Sequence, residues 1–175
     1  MKHCKYHIIL IILSQLIFVY CSENKELAPF LDGDAFEYKS NNIRVLYKVH
    51  THDDGTFKIT KTEKYRALQD KIEEFFLNPY GIVYKSTLDK YKGNFSPLWI
   101  PINTINIGDT FNSGYSAERK TRWKHWEVIV IKNPRVNEER FYEVNTGYFV
   151  GLRGNVGRSY NLILNYANAD IPTID

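Results

Sequence analysis

From Phe30 onward, apolar and polar residues alternate with a period of two in short runs, each closed by turn residues. Asp32-Gly33-Asp34 turns into Ala35 to Lys39, and Asn41-Asn42 turns into a longer run. There Ile43, Val45, Tyr47 and Val49 alternate with Arg44, Leu46 and Lys48. Asp53-Asp54-Gly55 then supplies the positive-φ residues of a tight turn, and Phe57, Ile59, Lys61 and Glu63 alternate with Lys58, Thr60 and Thr62. Two alternating runs around a D-G turn are the strongest hairpin signal in the chain.

Between Tyr65 and Leu77 the period changes. Leu68, Ile72, Phe75 and Phe76 fall at i, i+4, i+7 and i+8, the apolar face of one amphipathic helix over about 65–77, and Asn78-Pro79 ends it. Gly81 to Leu88 reads as a strand. Asp89 to Asp109 carries three turn signals, too long to be structureless in a compact domain, so Leu98-Trp99-Ile100-Pro101-Ile102 is expected to dock as an edge strand or a packed loop. The last third reads as a meander: Trp126 to Ile131, Arg140 to Val144, Tyr148 to Leu152, a loop at Arg153 to Gly157, and Tyr160 to Asn165. The expected fold is mostly β (α+β), an antiparallel and strongly curved sheet or partial barrel of about eight short strands with that one helix.

The amino terminus is set apart. Lys2, His3 and Lys5 precede an apolar run from Ile8 to Tyr20, then polar Ser22-Glu23-Asn24. Thirteen residues reach roughly 20 Å as a helix, short of the ~30 Å hydrocarbon core, so the layout is that of a secretory signal peptide over 1–21. Residues 22–31 then read as a tether and 32–175 as one β-rich domain. Leu16-Ile17-Phe18-Val19-Tyr20-Cys21 resembles a bacterial lipoprotein signal, of the relaxed kind found in spirochaetes, since Tyr20 stands where a small residue is usual. The resemblance implies lipidation at Cys21 and a membrane-anchored envelope protein, periplasmic or on the surface. Ordinary cleavage after Cys21, giving a secreted soluble domain, is the alternative.

Both cleavages remove Cys4, so no cysteine pair remains for a disulfide. Loss of Lys2 and Lys5 also lowers the formal charge from +3 to about +1, which speaks against a nucleic-acid binder. Aromatic residues make up 15% of the chain, with thirteen Tyr and ten Phe, and favour pleated surfaces.

Four clusters invite chemistry. His50, His52 and Asp54 match the start of an H-x-H-x-D zinc signature, but Gly55 stands where the next ligand belongs, so a polar hairpin tip is preferred and no metal or cofactor is expected. Gly114-Tyr115-Ser116-Ala117-Glu118 is one residue short of a nucleophile elbow and reads as a polar loop. Arg119, Lys120, Arg122, Trp123 and Lys124 combine cations with an aromatic ring, suited to a protein partner or an anionic surface. The plainer reading is an exposed loop whose charges keep a sheet edge from aggregating. The strand aromatics, finally, are core residues that can also line a cavity for an apolar ligand.

The terminal meander, Trp126 to Ile131 through Phe141 to Gly151, resembles the ending of small bacterial lipoproteins and, distantly, the LolA/LolB-type lipoprotein carriers. That resemblance implies a curved half-barrel closing on apolar ligands, and it transfers no functional residue. The expected function is thus a non-catalytic envelope domain binding an apolar ligand or envelope component. A protein-interaction module, adhesin or inhibitor, using the basic-aromatic segment is the alternative, and a metal-dependent hydrolase ranks third.

Overall fold

The computed structural model describes residues 25–40, 43–65, 68–87, 93–111, 114–156 and 158–173, with backbone only between 155 and 160. The signal segment, Cys21 and the Asn41-Asn42 turn lie outside the described residues.

The strands are β1 (Ala35–Lys39), β2 (Ile43–Thr51), β3 (Phe57–Tyr65), β4 (Lys71–Leu77) and β5 (Val83–Ser86), then β6 (Ser116–Trp123), β7 (Trp126–Asn133), β8 (Glu138–Glu143), β9 (Phe149–Val156) and β10 (Arg158–Ala167). They form one ten-stranded antiparallel sheet in the order β5-β4-β3-β2-β1-β10-β9-β8-β7-β6. Two five-stranded meanders are therefore sewn together by their first and last strands, β1 and β10. The end strands β5 and β6 do not pair, so the barrel stays open.

The sheet nonetheless curls strongly. Phe75 of β4 and Arg140 of β8 line one cavity although six strand steps separate them in the sheet order. A flat sheet would put those strands ~29 Å apart. Register shifts on β1, β4, β6 and β8 supply local bends.

Period-two alternation decides what faces inward. On β2 it is Val45, Tyr47 and Val49, opposite Glu63, Lys61 and Ile59 of β3. On β4 the inward set is Glu73, Phe75 and Leu77. One end of the inner face is filled by aromatic rings: Phe30 meets Phe57 and Trp99 edge-on and packs on Tyr148. Ala28 and Phe30, within the stretch expected as a tether, are buried in the core.

Ser96 to Thr104 crosses that filled end. Phe95 bridges to Ile82, and Trp99 bridges to Tyr148 on the other side. Trp99 is fully buried and donates its Nε1–H to the Thr146 carbonyl at 2.9 Å. The turn below it needs glycine. Gly147 has φ +73°, and a Cβ there would sit 2.1 Å from the Ile100 oxygen. The apolar segment expected to dock as a strand or loop is this packed loop.

On the outer face a second, smaller cluster joins Trp126, Val128, Val130, Phe141 and Val150. Trp123 stacks on Phe141 with centroids 4.4 Å apart and covers Gly151, where a Cβ would meet the Trp123 ring at 2.5 Å.

Four expectations are corrected. The helix over 65–77 is absent: its described part is the end of β3, the turn near 68–70 and β4, and no α-helix occurs among the described residues. Its supposed apolar face does not exist, because Leu68 and Ile72 are exposed at 72% and 59% while Phe75 and Leu77 are buried. Among the described residues the strands number ten rather than about eight. Arg119 to His125 is not a loop but the edge strand β6 and a tight turn at Lys124 and His125, with Ser116 as its first residue. β9 runs on through the expected loop at Arg153, as far as Val156.

Candidate functional site

Beyond the filled end, the inner face lines a cavity of about 240 Å³ that is partly open to solvent. Its walls are Val45, Phe75, Phe149, Leu152 and Leu162, from both meanders. Its charged members come as two groups, Lys61 and Glu63 from β3, and Glu138 and Arg140 from β8, and Ser40, Tyr47 and Tyr65 also line it.

The β3 group follows from register. Lys61 stands opposite Glu73 of β4, and Glu63 opposite Lys71; Lys61, Glu63 and Glu73 are at inward positions, and Lys71 lies at the exposed start of β4. Lys61 Nζ donates to Glu73 Oε2 at 2.9 Å and pairs with Glu63, and Lys71 Nζ lies 2.8 Å from Glu73 Oε1. The Tyr65 hydroxyl donates to Glu63 Oε2 at 2.7 Å. Burial alone would lower the Lys61 pKa. Tyr47 and the two carboxylates outweigh it and hold the ammonium charged, above its ordinary value. Burial likewise pushes Glu63 and Glu73 up, but hydrogen bonds from Lys61 and Tyr65, and from Lys71 and Lys61, bring both below the usual carboxylate range.

The β8 group mirrors it. Arg140 Nε and the Tyr115 hydroxyl both donate to Glu138 Oε1 at 2.7 Å, and the guanidinium lies over the Tyr115 ring, 5.0 Å from its centroid. Burial opposes the Arg140 charge, and Tyr142, Glu138 and Tyr115 more than restore it. Burial also raises Tyr115, so it stays a neutral donor at physiological pH.

The residues singled out from the sequence lie elsewhere. His50 Nδ1 sits 2.7 Å from Asp32, and Asp54 accepts from the Thr56 amide and hydroxyl at the hairpin tip. The rings of His50 and His52 are 5.3 Å apart, but no three His, Cys, Asp or Glu converge on a metal position among the described residues.

Arg119 pairs with Glu139 at 3.1 Å on the outer face, and Glu139 also takes Arg153. Lys120, Arg122 and Lys124 are exposed on the edge hairpin, while Trp123 is engaged by Phe141 and Trp126. The basic-aromatic set is thus split, with cations on the edge and the ring in packing.

Lys61, Glu63, Glu73, Tyr115, Glu138 and Arg140 were not singled out. The signal for two of them was in the hairpin itself, where the run Phe57-Ile59-Lys61-Glu63 puts a lysine and a glutamate on the apolar side of a strand. The chain matches no protein-family model, no curated protein and no solved structure.

Proposed function

We propose that this chain is an exported, lipid-anchored envelope protein whose β domain holds a small, largely apolar ligand in the inner-face cavity. The observation that carries the reading is the cavity: a concave site in which polar and charged groups converge beside apolar walls is the make-up of a ligand site. Its size bounds the ligand. Scaled from a ~150 Å³ cavity that takes benzene, the available volume holds roughly ten non-hydrogen atoms. A long acyl chain does not fit whole, so a small-molecule binder suits the volume better than a carrier of lipoprotein acyl groups.

The test uses the full chain purified in a mild non-ionic detergent. Solvent extraction and mass spectrometry should find a small apolar or amphiphilic compound, and toluene should raise the melting temperature. Phe75→Trp, which fills the wall, should abolish both effects while leaving a cooperative melt. A protein that carries nothing and ignores toluene overturns the reading. The anchor is tested separately, since Cys21→Ala should move the protein out of the membrane fraction.

A second reading, an interaction module, has one observation in its favour. The far edge of β5 is covered by bonds between Val83 and the 93–94 segment, and the start of β6 by bonds between Ala117 and the 108–109 segment. The rest of β6 is left as an open edge carrying Lys120 and Arg122, and such charges also serve to block unwanted pairing.

A further inference from the structure

Charges at inward positions of a sheet need a reason. Replacing a buried ion pair by apolar side chains of similar size is often neutral or stabilising, so stability alone does not explain two such groups. Both groups face one cavity, and each wall presents one cation and one carboxylate to it: Lys61 with Glu63, and Arg140 with Glu138. The partners behind them, Glu73 with Lys71, complete a balanced set. A purely anionic head in the cavity meets Glu63 and Glu138 as like charges, and a purely cationic one meets Lys61 and Arg140. A head of one sign thus meets a complement and a like charge on each wall, whereas a head that carries both signs can set each end against its opposites.

Resting on the cavity reading above, we infer that the ligand is a small amino-carboxylate zwitterion with an apolar side chain. Its side chain lies against Phe75, Phe149 and Leu162, and its two charged ends lie between the β3 and β8 groups. With its head counted, an amino acid with a four-carbon side chain such as leucine fits within the roughly ten-atom capacity, whereas one with a benzyl side chain exceeds it.

Three probes of nearly one shape separate the possibilities without altering the protein: L-leucine, 4-methylpentanoate and 3-methylbutylamine. Calorimetric titration of the full chain in non-ionic detergent should give leucine at least tenfold tighter binding than either singly charged analogue. Arg140→Met should cost leucine at least fivefold more than it costs toluene, and the remaining toluene signal shows that the variant is folded. Equal or tighter binding of either analogue overturns the inference. Toluene binding with no response to leucine also overturns it and leaves the cavity reading standing. No response to any of the four compounds removes the cavity reading itself.

Discussion

Lys61→Met is the sharpest test of how the β3 group is held together. The side chains of Lys61 and Glu63 are each 14% exposed and that of Glu73 is 4% exposed, so the substitution strands two carboxylates away from water. Removing one partner of a buried pair typically costs 3–5 kcal/mol. Lys71 still reaches Glu73, and Tyr65 still donates to Glu63, so the lower end applies, about 3 kcal/mol. For a domain of this size that lowers the melting temperature by roughly 6–12 °C.

The pH dependence has a definite sign. In the native protein Glu63 and Glu73 have lowered pKa values. Their contribution is fully present above the unfolded value of ~4.3 and is lost as the pH falls through the folded values. Without Lys61, burial dominates and raises them, so the variant gains stability, relative to the native protein, as the pH falls from 7 toward 5. Adding Glu63→Gln and Glu73→Gln should recover most of the loss at pH 7. Urea unfolding at both pH values measures all of this. A loss below about 1 kcal/mol at pH 7, or one that does not shrink at pH 5, would refute the argument.

Two further substitutions probe the packing that shapes the cavity. Trp99→Ala empties the centre of the crossing loop and removes the donor to Thr146, and should cost about 3–5 kcal/mol in urea unfolding. A loss under ~1 kcal/mol would mean the loop is not part of the core. Gly151→Ala drives a Cβ to 2.4 Å from the Leu162 carbonyl oxygen and 2.5 Å from the Trp123 ring, so it should loosen the β9–β10 pairing and unstack Trp123 from Phe141, read as a lowered melting temperature with a changed near-ultraviolet dichroism. An unaltered aromatic signal would count against the close approach of that ring.

How much of this was legible depended on whether each strand kept its alternation pure. β2 did, and the turn at Asp53 to Gly55 fixed its register with β3, whose first inward positions Phe57 and Ile59 are apolar, with Gly55 at φ +76°. β4 did not. Its first inward position is Glu73, which is inward because Lys61 meets it from β3. With a carboxylate in the apolar series and Phe76 beside Phe75, the run imitates a helical face, and the partner that explains it lies on another strand. β6 failed for the opposite reason: as an edge strand with exposed charges over 118–122 it shows no apolar period at all. The feature that hid β4 is therefore the feature that marks the site.

The second wall was out of reach for a topological reason. Lys61 and Arg140 are far apart in sequence, on different meanders, and they share a cavity only because β1 pairs with β10 and the sheet curls around that seam. Each meander alone carries one ion-paired group on an otherwise apolar face, which a sequence reader takes for solvated surface. Joined, they make a cavity that neither half possesses. Under the proposed function, a ligand that holds both walls is linked to closure of the seam, because it binds the native state and not its separated halves. At a hundredfold excess over its dissociation constant, such a ligand adds about 2.7 kcal/mol of stability, as much as the Lys61 network is expected to lose when its lysine is removed.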